Sequence, residues 1–450
     1  MRFLSGFEST HIFGSGTDVL NLTKHTEFVE EDLDLVSSCN LNLMRYSAPW
    51  HSIEREPGVY DWMWLDKALN RFREMGIEPI LDPLHHTSFP EWLFGGFANP
   101  KFAGSYLNFI EKLAARYPWI RYYTIINEPF VTALFCGGEG IWYPYLKSKN
   151  SFVSMILNMG EAICRVSERL TETLDEAYFV HVDTCEKHRP TNAASIENAR
   201  FRNELRFLVV DLVLGKINEN HPLYNYLRQN GATRDRLERF TENPSRIDIL
   251  GLDYYAHSEL EWNGDERIYP NRNPEGFANI AMDYVNRYNL PVMLSETNIR
   301  GFVSDRISWL KFMVEQCEIL KNRLEPRAIP FHGFCWYPFI DSTDWCSLVR
   351  EASGKIDPQG IYHLDCGSLR RNASELSDIF AALADGAISS RDIPAYRFQS
   401  PLDTELKGFL PLMKHWQWLE PFAPETNKKS TFQIAGIELN RQFAENGIGF

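Results

Sequence analysis

The chain has 450 residues and a formal net charge of −14 at pH 7. Hydrophobic residues make up 44% and charged residues 24%, the balance of a soluble globular protein with room for one large barrel or two or three ordinary domains. The acidic balance excludes a nucleic-acid or anionic-membrane partner, because either would need a basic face.

The N-terminus, Met1-Arg2-Phe3-Leu4-Ser5-Gly6-Phe7, lacks the long apolar stretch and small-residue cleavage site of a signal peptide. No apolar run is long enough to span a bilayer. The 8 cysteines are scattered without a CxxC pair, as expected of reduced thiols in a cytoplasmic protein. Aromatics reach 14%; most are expected to fill the core, and some to stack on ligand rings.

Short apolar runs alternate with helical patterns from the start to about residue 365. Strands are expected near 3–7, 41–46, 77–84, 121–126, 177–183, 247–252, 291–295 and 329–335. Between them lie amphipathic segments. Phe152, Met155, Ile156, Met159, Ile163, Val166 and Leu170 follow one helix face, and Ile307, Leu310, Met313, Val314 and Cys317 another. Eight strands alternating with helices predict an α/β fold, a closed parallel (β/α)8 barrel, in preference to a doubly wound open sheet. A final helix is expected near 371–385. Residues 1–385 are therefore read as the catalytic barrel and 386–450 as a C-terminal extension. That extension carries Trp416, Trp418 and Phe422, then the polar stretch Pro424 to Lys429. It packs on the barrel or joins a subunit interface of a homo-oligomer; the sequence leaves both open.

The chemistry sits at strand ends. Thr124-Ile125-Ile126-Asn127-Glu128-Pro129 closes one apolar strand with an amide and a carboxylate, and Pro291-Val292-Met293-Leu294-Ser295-Glu296 closes another with a second carboxylate. Two glutamates on rigid strand ends are what glycosidic bond cleavage needs. One donates a proton to the leaving oxygen; the other attacks the anomeric carbon or activates water there. Glu128 is the expected proton donor, with Asn127 beside it for the sugar 2-OH. The bland reading makes Glu128 only a helix cap. Arg45, ending Leu43-Met44-Arg45-Tyr46, would hold Glu296 ionised, or form a purely structural ion pair. For double displacement the two carboxyls should stand about 5–5.5 Å apart, against ~6.5–9.5 Å for inversion.

Other groupings are weaker. His85 and His86 point to opposite sides of an extended backbone and make poor joint metal ligands. His181, Asp183, Cys185 and His188 resemble a metal cluster, but a polar barrel mouth explains them equally well. Gly14-Ser15-Gly16 lacks the third glycine of a nucleotide loop. No metal and no cofactor is expected.

Taken in order, the motifs resemble glycoside hydrolase family 1, the β-glucosidase and β-galactosidase barrels, from about residue 40 to 365. Met44 to Trp50 resembles that family's RFSISW strand, and Glu56 to Trp62 its EPGxxNW turn. Gly76 to Pro79 with Leu84-His85-His86 resembles GIEPxxTLHHW, and Thr124 to Pro129 matches TxNEP. Leu250 to Tyr255 resembles LGxNYY, Ser295 to Asn298 resembles TENG, and Trp336 to Trp345 resembles WSLLDNFEW. The resemblance implies a retaining β-glycosidase acting on a small β-glycoside through a covalent glycosyl-enzyme. Glu128 would be acid/base and Glu296 nucleophile. Arg45 and Tyr255 would contact the nucleophile, and Asn127 would bind near the 2-OH. His86, Trp336, Asp344 and Trp345 would bind the glycone.

The alternatives are a transglycosidase with the same intermediate, or a non-catalytic sugar-binding protein on this barrel. Four departures from the family pattern bear on which sugar is taken. The family's early glutamine has no clear match in Phe7-Glu8-Ser9-Thr10-His11. Thr87 stands where tryptophan is usual, Asp253 where asparagine is usual, and Asp344 where glutamate is usual. Lys355 is present, but its loop does not match the phospho-glycosidase pattern.

Overall fold

The computed structural model describes residues 1–268, 271–399 and 406–421. Eight strands close a barrel: β1 Arg2–Gly6, β2 Leu43–Ser47, β3 Glu78–Asp82, β4 Tyr122–Tyr123, β5 Tyr178–Thr184, β6 Ile249–Asp253, β7 Val292–Glu296 and β8 Phe331–Trp336. They pair in chain order, all parallel, and β8 closes on β1 with Ser5 opposite Trp336. The fold is thus the (β/α)8 barrel expected from the alternation.

Seven of the expected strands are present within a residue or two of their predicted bounds. The fourth differs. Its ladder is regular only at Tyr122–Tyr123, and the chain then leaves the strand. It keeps single bonds to both neighbours, Thr124 N to Leu81 O at 2.8 Å, Asn127 N to Leu84 O at 3.0 Å and Glu128 N to Val182 O at 3.0 Å. The departure from regular strand is what carries Glu128 into the left-handed region, with φ 42°.

The core has two parts. Leu4, Leu43, Ile80, Val180, Val182, Ile249 and Met293 fill the barrel interior. A larger layer lies between the strands and the helices around them. Both predicted amphipathic faces belong to it. All the named positions are buried on helices Lys149–Thr173 and Val303–Leu324. Burying each such Leu, Ile or Met contributes about 1.5–3 kcal/mol, so these faces hold the helices to the sheet. The last barrel helix, Glu375–Asp385, starts at a Ser374 capping box and stops at Gly386, whose φ of 76° suits a residue without a side chain.

The sequence reading did not anticipate a small sheet at the barrel mouth, made of Lys187–Pro190, Glu259–Asn263 and Glu266–Ile268. Its strands have only three to five residues; Lys187–Pro190 and Glu266–Ile268 carry no apolar alternation, and Glu259–Asn263 alternates over five residues alone. Past the barrel, the described part of the extension lies along helix Val303–Leu324. Ser308 and Tyr396 exchange hydrogen bonds, Trp416 Nε1 donates to Glu315 at 2.9 Å, and Phe409 packs edge-on to Trp309. Phe422 and the Pro424 to Lys429 stretch lie outside the described residues. No helix among the described residues is long and apolar enough to cross a membrane.

Candidate active site

The C-terminal ends of the barrel strands bring distant residues into one buried cluster. Arg45, on β2, is its centre. Its Nη1 donates to Glu296 Oε1 at 2.5 Å and to the Ser295 carbonyl at 3.1 Å, and its Nη2 donates to Asn127 Oδ1 at 2.6 Å. The Tyr337 ring lies under the guanidinium, 5.0 Å from its carbon. Gly6 makes room for that ring, since a Cβ there would fall 2.6 Å from Tyr337. Tyr255 donates its hydroxyl to the other oxygen, Glu296 Oε2, at 2.7 Å. Glu296 therefore has a charged donor on one oxygen and a neutral donor on the other.

Glu128 is differently placed. It occupies the N-cap position of helix Pro129–Ala133 but makes no capping hydrogen bond, so the helix-cap reading does not account for its side chain. Its Oε2 lies 3.5 Å from His86 Nε2. Burial pushes its carboxyl well above the ordinary range, and the charge of Glu296 and then Asp253 adds to the effect, against a smaller opposing pull from Arg45. At least one carboxyl oxygen from each of Glu128, Asp253 and Glu296 lies within 4.8 Å of the others.

The two histidines of β3's extension take opposite charge states. His85 sits between Asp82, 2.7 Å from its Nδ1, and Glu8, 3.4 Å from its Nε2. Burial disfavours its cation, but the two carboxylates outweigh burial and raise it to about 10. Glu8 is the counterpart. Burial opposes its ionisation, yet His85 and the Thr10 hydroxyl lower it to about 2. His86 is held neutral by burial and by the adjacent His85 cation. Its Nδ1 bonds Thr132 Oγ1 at 2.9 Å, and its backbone φ of 49° is left-handed.

A cavity of about 170 Å³ opens above this cluster. Glu8, His86, Glu128, Trp142, Tyr255, Glu296, Tyr337 and Trp345 line its inner part, and the inserted sheet contributes His188, Leu260, Trp262 and Arg267 to its outer wall. Trp345 Nε1 and Asn127 Nδ2 are buried donors with no partner among the described residues.

Two of the expected glycone contacts, Trp336 and Asp344, do not line the cavity, and neither does Asn127, the expected 2-OH contact. Trp336 is fully buried, and its Nε1 donates to the Gln359 carbonyl, so Tyr337 and Pro338 supply the wall there. Asp344 is also fully buried and faces its own loop. Its carboxylate accepts from the backbone N–H groups of Ser353, Gly354 and Lys355 and from the Ser353 hydroxyl. A carboxylate held by that many local donors folds a turn rather than reading a ligand. Conversely, Glu8 and Trp142 line the pocket and were not singled out as site residues. The departure at Glu8 from an expected glutamine was the available signal for it.

The His181, Asp183, Cys185 and His188 set does not converge. His181 and Asp183 approach only to 3.9 Å, and His188 instead bonds Glu186 and accepts from Trp262 Nε1. Two other groupings place three ligand atoms close together among the described residues. In His11, Asp18 and His51 the imidazoles stack at 4.1 Å with planes 4° apart, so their in-plane lone pairs do not meet at one ion. In Glu128, Asp253 and Glu296 the Arg45 guanidinium already supplies the cation.

Fold and site together define the class: a (β/α)8 barrel with a two-carboxyl, one-guanidinium centre at the C-terminal ends of its strands, where barrels of this kind carry their chemistry. The comparisons point the same way. The Glyco_hydro_42 family model, described as beta-galactosidase, matches residues 23–117. A 6-phospho-beta-galactosidase of Streptococcus mutans serotype c is 26% identical over 289 residues, 59% of this chain and 61% of its own length. An aryl-phospho-beta-D-glucosidase of Bacillus subtilis is 31% identical over 108 residues, 22% of each chain. This chain thus spans about three-fifths of the first relative's length and a fifth of the second's. Among solved structures, a beta-glucosidase from Thermotoga maritima in complex with deoxynojirimycin superposes with a TM-score of 0.71 at 19% identity, over 81% of this chain and 87% of that one. Its glucoimidazole complex gives the same TM-score at 18% identity. The resemblance to the family 1 glycoside hydrolases, first seen in the motifs, is therefore also a resemblance to curated relatives and to solved barrels.

Proposed function

We propose that the protein is a retaining β-glycosidase that hydrolyses a small β-glycoside through a covalent glycosyl-enzyme. The observation that carries this reading is the pairing of unlike carboxyls. Glu128 is buried and favours its proton, while Glu296, within 4.8 Å, is held by Arg45 and Tyr255. In the first step Glu296 attacks the anomeric carbon as Glu128 passes its proton to the leaving oxygen. In the second, Glu128 takes a proton from water as that water displaces Glu296. Asn127 is fixed by Arg45 with its amide N–H free, which suits a bond to the sugar 2-OH that strengthens in the transition state. His86 and Trp345 are our glycone contacts, joined by Glu8 and Trp142.

Both curated relatives are named for phosphorylated substrates. The loop of Lys355 does not match the phospho-glycosidase pattern and its backbone N–H is tied to Asp344, so we assign a neutral glycone of the glucoside or galactoside kind. We read residues 386–450 as an extension of the barrel, supported by the packing of its described part on helix Val303–Leu324. Eight unbridged thiols support a cytoplasmic location.

The test is turnover of aryl β-glycosides with product stereochemistry followed by NMR. First-formed product of retained configuration supports the reading. Inversion, or sugar binding without turnover, overturns it.

A further inference from the structure

Glu128 and Glu296 are not the only carboxyls in the cluster. Asp253 ends β6, pairs in register with Glu296 on β7, and is fully buried. Its Oδ1 accepts from the Ser295 hydroxyl at 2.6 Å, and its Oδ2 is buried with no partner among the described residues. The Ser295 side chain fits there because Gly251 has none, since a Cβ at Gly251 would lie 2.7 Å from the Ser295 oxygen. Asp253 thus holds an oxygen within 4.8 Å of both glutamates. We propose that Asp253 is a positioning residue for the reaction, a third carboxyl beside the pair whose charge keeps the proton on Glu128. The proposal rests on the reading of Glu128 as general acid.

Three carboxyls around one guanidinium cannot all ionise at ordinary cost. Arg45 balances one charge, and Glu296 has the direct contact with it. Glu128 and Asp253 share the remaining burden. Around Asp253 the ionisable groups are Glu296 on β7, Arg45 on β2, Asp183 and the neutral Cys185 from β5 and its end, Glu128, Tyr255, and the neutral Cys335 on β8. Burial and then Glu296 raise Asp253, but Arg45 and the Ser295 hydroxyl favour its anion. Glu128 has no comparable hydrogen bond, and Asp253 adds to its upward shift. The hydroxyl that Ser295 donates at 2.6 Å favours an anion on Asp253, and Glu128 has no such donor, so we assign the second charge to Asp253. Its charge then raises the cost of ionising Glu128, and the general acid keeps its proton to higher pH. The two carboxyls titrate as a pair, in two steps that belong to both.

The decisive variant is Asp253→Asn, which keeps the shape and an acceptor for Ser295 but cannot ionise. Its kcat/KM is followed against pH on a phenyl β-glycoside, which needs acid assistance, and on a dinitrophenyl β-glycoside, which does not. The expected result for the phenyl substrate is a basic limb displaced to lower pH by about one unit or more, so that activity just above the wild-type optimum falls about tenfold. The acidic limb stays in place, and the dinitrophenyl substrate is much less affected. An unmoved basic limb, or an equal loss at every pH on both substrates, makes Asp253 structural and overturns the proposal.

Infrared difference titration in an Asp183→Asn, Asp357→Asn background, which removes the two other deeply buried carboxyls that burial raises, decides independently, even if Asp253→Asn does not fold. Two buried carboxyls losing protons in sequence support the proposal, and one alone overturns it. If Glu128→Gln leaves the phenyl substrate's rate intact, the general-acid reading itself has failed, an outcome separate from a fixed limb in Asp253→Asn.

Discussion

Arg45 and Glu296 are 251 positions apart in the chain and meet at 2.5 Å inside the barrel mouth, both almost wholly buried. The pair joins β2 to β7 across the barrel, and through Asn127 and Tyr255 the same two residues set the position of everything nearby. Its consequences reach both stability and chemistry.

Removing the arginine leaves Glu296 as a buried anion without its counter-charge. Arg45→Ala should lower unfolding free energy by about 3–5 kcal/mol, the usual cost of breaking a buried ion pair from one side. It should also reduce turnover of every substrate. Denaturant melts and kcat on one aryl glycoside check both. A loss of activity without loss of stability would show that the pair does not contribute to the fold.

Glu128→Gln should separate substrates by leaving group. Activated aryl glycosides, whose leaving oxygen needs no proton, should lose little in the first step, whereas alkyl glycosides should lose about 10²–10⁴-fold. The basic limb should vanish, because the wild-type group works protonated and its raised affinity preserves activity until pH climbs through its folded value. A retained basic limb would remove Glu128 from the role. Glu296→Ala should abolish turnover of all glycosides alike.

Asp183 offers a test of the cluster's electrostatics through stability. Burial raises its carboxyl to about 8, with the Thr184 and Phe130 N–H groups resisting. A folded value above the unfolded one means that the folded state holds the extra proton, so stability falls as pH rises from about 4 towards about 8. Asp183→Asn removes that dependence. The variant should gain on the wild type as pH increases across this window, by about 2–4 kcal/mol at most. Denaturation curves at pH 5 and pH 8 decide, and a difference independent of pH would contradict the shift.

Asp344→Ala should now behave as a loop mutation. It leaves the Ser353, Gly354 and Lys355 N–H groups without their acceptor, each hydrogen bond to the charged group being worth about 1.5–3 kcal/mol. Melting temperature should drop and all glycones should suffer together. Glu8→Gln is the variant that should reorder glycones, since Glu8 lines the pocket as an anion. A ranking altered by Asp344→Ala and untouched by Glu8→Gln would reverse this assignment.

Much of the molecule was legible from residues alone, and its limits are physical. Barrel strands are apolar on both faces and helices carry one apolar stripe, so eight strand positions and the faces of Lys149–Thr173 and Val303–Leu324 followed from local pattern. The short charged strands Lys187–Pro190 and Glu266–Ile268 have no such pattern and stayed hidden.

The sequence by itself determined that Glu296 closes one apolar strand and that Arg45 and Glu128 belong to two others or the segment just past them, because an apolar run marks where a strand lies. Only the tertiary structure decided what each side chain faces. Glu128, His86 and Asp344 all sit at positive φ, a backbone choice that apolar patterning does not announce. That geometry aims Glu128 at Glu296 and turns Asp344 back onto its loop. It also left Asp253, a single departure in a motif, as a third carboxyl beside the pair. Spacing along a chain places a residue on an element, but the direction of its side chain and its proton affinity depend on neighbours that only folding brings near.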